Sequence, residues 1–174
     1  MIGEAMLKWT LIVVLAVAVF VGLLALGGAF LPKGHRASRT VVYNVPPAAV
    51  FAAITDFKRF PEWRSDVTSV EVLGDDGRGT RFREEGSQGT VTYRVEVLQP
   101  DSRLVTRIDD PSLPYGGTWT LEVKPVAEGA SLTITEDGEI YNPIFRVLAK
   151  VFFSPYATID TYQADLGTRL AAGR

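Results

Sequence analysis

Between Trp9 and Leu31 the chain runs for 23 residues, WTLIVVLAVAVFVGLLALGGAFL, without a single charge, and 19 of them are apolar. A helix of that length, rising about 1.5 Å per residue, extends about 34 Å, enough for a hydrocarbon core of about 30 Å. Trp9 stands at one edge of the run, where an indole prefers the membrane interface. The pattern predicts a short tail over 1–8 and a membrane-spanning helix over 9–31. A cleaved signal sequence is the competing reading, because Ala25-Leu26-Gly27 and Gly27-Gly28-Ala29 have small-x-small spacing. Against it, the run is longer than the core of about 7–15 residues that a signal sequence carries, and its leader MIGEAMLK includes an acid. Lys8 is offset by Glu4 on the N-terminal side, whereas Lys33, Arg36 and Arg39 follow the run. Positive flanks stay inside, so a single pass through a cytoplasmic membrane with the larger part in the cytoplasm is expected.

The remaining 143 residues, 32–174, are enough for one core. Only Pro32–Ala37 separate the apolar run from the first strand signal, and six extended residues reach about 20 Å. A linker over 32–37 would thus hold a domain over 38–172 close to the lipid. The formal charge of −2 argues against a nucleic-acid partner. With no cysteine and one histidine, His35, the chain has no thiolate or multi-histidine metal set. Neither a metal nor a cofactor is expected. His35, between Lys33 and Arg36, is expected at the lipid head groups.

Past the linker, Arg39–Val45 reads as a strand, Pro47 opens a helix over AAVFAAIT, and Asp56 starts a shorter one that stops at Pro61. Six strand-like stretches follow, divided by Gly, Asp and Pro turns: Val67–Leu73, Thr80–Glu85, Thr90–Leu98, Arg103–Ile108, Thr118–Val123 and Ser131–Tyr141. Asn142 and Pro143 then open a helical pattern of nearly 30 residues, which Pro155 should kink or restart. Alternation puts Tyr93 with Val91 and Val95, Trp119 with Leu121 and Val123, and Leu132 with Ile134 and Ile140 on an inner face. Parity puts Glu84 and Glu136 on that face too. A buried carboxylate needs a partner: each is expected to pair with Arg146, Lys150 or a tyrosine, or to lie near an exposed end of the sheet, and the alternative is that one or both meet a polar group of a ligand. Arg81 and Arg83 read as a solvated face. The stretch IFRVLAKVFF is apolar on nearly all sides, which leaves a tight core, a lipophilic cavity or the bilayer surface as its environment.

The stretch VPPAAVFAAITDFKRFPEW, followed by the strand SVEVL at Ser69–Leu73, resembles the opening of START-like helix-grip proteins, the SRPBCC or polyketide cyclase, dehydrase and lipid-transport superfamily. The tail YNPIFRVLAKVFFSPYATIDTYQADL is similar to the long C-terminal helix of bacterial members, and the likeness covers about residues 38–172. The resemblance implies an α+β helix-grip fold. A seven-stranded antiparallel sheet would wrap a long C-terminal helix, with a hydrophobic cavity between them for a lipid, quinone or polyketide-like molecule. No catalytic motif of the superfamily matches residue by residue, and the Rieske and iron ligands of related ring hydroxylases are missing.

The expected ligand-binding set follows from these faces. Phe57, Phe60 and Trp63 would wall the cavity mouth. Phe82, Tyr93, Thr106, Trp119, Leu121, Ile134 and Glu136 would line it from the sheet, and Phe145, Leu148, Phe152 and Tyr156 from the tail. The expected function is membrane-anchored binding of a hydrophobic small molecule. Two alternatives stand beside it: a cyclase or dehydratase with Glu136 or Glu84 as general acid or base, and a tethered interaction domain with a filled core.

Overall fold

The computed structural model describes residues 2–87 and 89–173, with side chains from Met6 onward. It divides into two compact units: residues 1–33 with 140–154, and residues 34–139 with 155–174.

The first unit contains helix α1 (Ile2–Ala29) and helix α3 (Pro143–Phe152). From Met6 to Ala29, α1 is long and apolar enough to cross a bilayer, and its side chains are almost wholly exposed. The α3 helix starts as its sequence dictates: the Asn142 side-chain oxygen accepts from the Ile144 and Phe145 amides at 2.9 and 3.4 Å, and Pro143 holds the first position. Arg146, the buried residue of α3, does not pair with a carboxylate as expected. Its guanidinium donates to the carbonyls of Gly28 (3.2 Å), Leu31 (3.4 Å), Ile140 (2.8 Å) and Tyr141 (2.8 Å). A helix leaves its last carbonyls without intrahelical partners and carries partial negative charge there, so a cation at that end is doubly favoured. Gly28 permits the approach: a Cβ there would lie 1.8 Å from the Pro143 carbonyl oxygen.

The second unit holds a seven-stranded sheet in the order β1-β7-β6-β5-β4-β3-β2. Its strands are β1 (Gly34–Tyr43), β2 (Val67–Asp75), β3 (Thr80–Gly86), β4 (Gly89–Gln99), β5 (Arg103–Ile108), β6 (Tyr115–Val126) and β7 (Gly129–Ile140). Helix α2 (Pro47–Thr55) and a 3-10 helix (Phe57–Glu62) carry the chain from the β1 edge to the β2 edge, and the meander then returns strand by strand. The strand starts at Gly34, so four of the six residues expected as linker, Gly34–Ala37, belong to β1. Helix α4 (Ala157–Ala172) lies on one sheet face and buries Ile159, Tyr162, Gln163 and Leu166, the i, i+3, i+4, i+7 stripe of an amphipathic helix. The tail pattern is thus two helices, α3 and α4, separated around Ser154-Pro155, where the missing proline amide ends one run and a new one begins.

Gln163, the polar break in that stripe, has a structural role. Its side-chain nitrogen donates to the Arg39 carbonyl of β1 (3.2 Å) and the Leu132 carbonyl of β7 (3.3 Å), while its backbone carbonyl accepts from the Tyr43 hydroxyl at 2.9 Å. The sheet's other face is not uniformly wet either. Arg94 is buried there and donates to Asp76 (2.9 Å) and Asp109 (2.8 Å). Arg81 and Arg83, on the strand read as solvated, are paired with Asp109 and Glu71.

Candidate functional site

Between α4 and the sheet, aromatic rings meet in one connected group. Phe57 stacks on Phe82 with centroids 4.2 Å apart, and Phe82 stacks on Tyr93 at 5.3 Å. Phe60 sets its edge against Phe57, Phe82 and Trp63. Tyr162 of α4 is the hub, edge-on to Phe60, Trp63 and Trp119 at 5.3–6.4 Å. Six of the residues expected from sequence are therefore brought together. Thr106 is paired with Trp119 in the β5/β6 register, and Leu121 and Ile134 are buried on the same inner surface. Tyr156 is half-buried, with the Arg39 guanidinium 3.7 Å above its ring. Phe145, Leu148 and Phe152 belong to α3 in the first unit, where Phe145 and Phe152 are exposed.

Beneath the rings lies a buried ionic cluster. The Arg64 guanidinium donates to Glu84 at 2.8 Å and to both oxygens of Asp66, at 3.1 and 2.7 Å. Arg64 and Glu84 side chains are each only 9 % exposed. The guanidinium carbon also sits 5.1 Å from the ring centroids of Phe60 and Tyr162. Ser65 fixes this turn to α4, its amide and hydroxyl both donating to Asp165 at 2.7 Å, and so aims Arg64 inward. Burial opposes the Arg64 charge, but Glu84 and Asp66 outweigh it and hold its pKa above the ordinary arginine value. Glu84 shares its cation with Asp66, and burial pushes its pKa up by more than Arg64 pulls it down.

Both inner-face carboxylates thus have partners other than those expected. Glu84 takes Arg64. Glu136 takes His35, with Nε2 and Oε1 3.2 Å apart. His35 is not a free head-group contact: it lies in β1 opposite Gly138, on the same face as Ala37 and Glu136. Gly138 makes the seat, since a Cβ there would come within 2.2 Å of the imidazole. Gly117 of β6 lies against Asp137 and Gly138 of the neighbouring β7.

On the opposite face of the sheet, Arg81 Nε lies 2.9 Å from Asp109 without hydrogen-bond alignment, the one sealed side-chain nitrogen or oxygen so left among the described residues. The inner face carries polar atoms without partners as well. The hydroxyls of Tyr93 and Tyr162 and the indole N–H of Trp119 have no hydrogen-bonding partner among the described residues, and none of the three is fully sealed from water. Burial, reinforced by the Glu84 charge, pushes both tyrosines well above their usual pKa and keeps them neutral donors. A separate open cleft of about 440 Å³ runs between α2 and the end of α4, lined by Val45, Ala49, Arg59, Trp63, Arg169 and Leu170 among others. Trp63 borders both this cleft and the aromatic group. No cluster of three or more metal-ligating side chains occurs among the described residues.

Sequence reasoning missed Arg64 and Tyr162. Arg64 had a signal in a cation placed directly before a strand whose neighbour carries the inward Glu84. Tyr162 had one in its i+3 spacing from Ile159.

The chain belongs to the polyketide cyclase/dehydrase and lipid transport family, whose sequence profile matches residues 34–170. It is 30 % identical over 105 residues to the granaticin polyketide synthase bifunctional cyclase/dehydratase of Streptomyces violaceoruber, a match covering 56 % of this chain and 32 % of that protein. The chain thus spans about a third of that relative. Two solved structures share the START-like helix-grip fold. A START superfamily protein from Mycobacterium smegmatis is 18 % identical with a TM-score of 0.65, over 80 % of this chain and 99 % of that one. The Zhui aromatase/cyclase from Streptomyces sp. R1128 is 11 % identical with a TM-score of 0.65, over 79 % and 94 %.

Proposed function

We propose that the chain is a membrane-anchored binding protein for an apolar small molecule that carries a carbonyl or hydroxyl group. The helix α1 is the anchor, and the basic residues Lys33, Arg36 and Arg39 put the sheet-bearing unit on the cytoplasmic side. The observation that carries the reading is the inner-face aromatic group, whose two tyrosine hydroxyls and one indole N–H lack partners among the described residues. Apolar walls with a few placed donors are the usual composition of a small-molecule site. Tyr93 and Tyr162 would orient the ligand's oxygen, and Phe57, Phe82, Trp119 and Leu121 would cover its apolar body. The ionic cluster beneath stays fixed and holds Tyr162 and Phe60 in place. Trp63, shared with the outer cleft, is the side chain that would swing to admit the ligand.

An anthroyloxy-labelled stearate tests this. Added to the full chain in lipid nanodiscs, it should take up energy from Trp119 and Trp63 saturably, beyond what empty nanodiscs give. Tyr93→Phe should weaken its binding roughly 5–10-fold, the worth of one neutral hydrogen bond of about 1 kcal/mol. Equal uptake by loaded and empty nanodiscs would exclude the site.

A second reading rests on the His35–Glu136 pair. A carboxylate that orients an imidazole is the arrangement a general base requires, and the family includes cyclases and dehydratases. Under that reading Glu136→Gln abolishes turnover of a polyketide-type substrate while leaving stearate binding intact.

A further inference from the structure

The α3 helix exposes what a soluble protein would hide. Phe145 is 49 % exposed, Val151 65 %, and Phe152 and Phe153 each 72 %. Phe145 and Phe152 are seven residues apart and share one helix face with Leu148. Three phenylalanines and a valine at such exposure make a patch that water disfavours. What the patch adjoins is plain within this unit. Pro143 rests on Gly28, and Arg146 holds the carbonyls of Gly28 and Leu31, at the C-terminal end of α1. The apolar surface of α1 continues through Phe30, itself fully displayed. Lys33 and Lys150 lie in the same unit and are exposed.

We propose that α3 is a second membrane element: an interfacial helix, locked by Arg146 to the exit of α1, that lays Phe145, Val151, Phe152 and Phe153 into the acyl boundary of the same leaflet. This rests on the reading of α1 as a bilayer-spanning helix. The occupant is the lipid surface, because the patch is continuous with a helix that needs lipid along its whole length. An amphipathic helix of this kind sinks about 5–10 Å into the headgroup and acyl boundary, with its cationic side chains at the phosphates. Lys33 and Lys150 are the groups that would meet them. Arg146 is spent on carbonyls and is not available for lipid. The consequence is the orientation of this unit: a single spanning helix can rotate about its own axis, whereas a spanning helix with a clamped interfacial one cannot.

The chain has no cysteine, so single-cysteine labelling is unambiguous. Full-length Phe152→Cys and Phe145→Cys carry a nitrobenzoxadiazole label in vesicles of phosphatidylcholine and phosphatidylglycerol. Ala16→Cys in α1 reports the span, and Lys124→Cys on the sheet reports the aqueous state. Brominated lipids should quench the labels at 152, 145 and 16 to a comparable degree and leave 124 unaffected, while aqueous iodide should quench 124 alone. Adding Arg146→Ala should return the 152 label to iodide while the 16 label stays in lipid. Lipid quenching at 16 with iodide quenching at 152 and 145 would overturn the interfacial helix and leave the anchor standing. Protection of 152 and 145 from both quenchers would assign the patch to a second copy or another protein and also overturn it. Absence of lipid quenching at 16 would remove the anchor and the proposal with it.

Discussion

Arg64→Met removes the cation that Glu84 contacts among the described residues and leaves a carboxylate 9 % exposed beneath an aromatic layer. Breaking one partner of a buried ion pair costs about 3–5 kcal/mol, because the remaining charge has neither water nor counterion. Asp66 keeps partial access to solvent and adds little. For a domain of this size the loss corresponds to a fall in melting temperature of roughly 8–15 °C. Glu84→Gln is different: Arg64 keeps Asp66, and the cost is one charged hydrogen bond, about 1.5–3 kcal/mol. The decisive variant is the double one. With Gln at 84 there is no buried anion, so Arg64→Met in that background should cost less than half of what it costs alone. Acid should have the same effect. Losing Arg64 raises the folded Glu84 pKa further above its unfolded value. The folded state then holds a proton that the unfolded state releases, and the variant loses stability as pH rises through the folded pKa. The deficit of Arg64→Met should accordingly narrow as pH falls toward 4.5, the ordinary value for a glutamate. Thermal unfolding of the full chain in mild detergent, followed by the near-ultraviolet signal of Trp63 and Trp119, measures all four corners. A penalty under about 1 kcal/mol for Arg64→Met at neutral pH, or one that Glu84→Gln fails to reduce, would show that Arg64 does not neutralise a buried Glu84 charge.

Other outcomes follow from the same structure. Tyr43, Tyr93 and Tyr162 are held above the ordinary tyrosine pKa of 10.0 by burial. Their folded forms therefore keep protons that the unfolded chain releases, so stability is level below pH 10 and falls above it. In a spectrophotometric titration these three should ionise together with unfolding, and three smooth titrations in the folded chain would contradict their burial. Gln163→Leu removes two donors to strand carbonyls and should cost about 1–3 kcal/mol, with faster amide exchange along β1 and β7; unchanged exchange would count against the bridge. Gly138→Ala should displace the imidazole of His35 from Glu136. As the chain has one histidine, its ring resonances report this directly, and an unmoved spectrum would show that the seat is not required.

The fold was legible because periodicity and punctuation agree in this chain. Each strand is closed by Gly, Asp or Pro turns, and the single helical interruption is what sends β2 to the far edge. The aromatic group was legible for a similar reason: Phe57, Phe60 and Trp63 follow a helix stop, and Phe82, Tyr93 and Trp119 share a parity. Pairing was not legible. Parity placed Glu84 and Glu136 on the inner face, but whether a cation meets them depends on which turn folds over which strand. Arg64 is reached through Ser65 and Asp165, 100 residues apart in the chain. Arg146 illustrates the converse. Its spacing put it on the helix that was to close the sheet, and only the break at Ser154-Pro155 frees α3 to cap α1 with it.

Whether the inner face of the sheet accepts a small molecule is decided by native mass spectrometry of the full chain released from its own membranes in mild detergent. The spectrum should show the 19.0 kDa chain carrying one apolar molecule, retained at low activation energy and weakened by Tyr93→Phe. A bare chain, both as isolated and after incubation with fatty acids, phospholipids, isoprenoid quinones and aromatic polyketides, would contradict it.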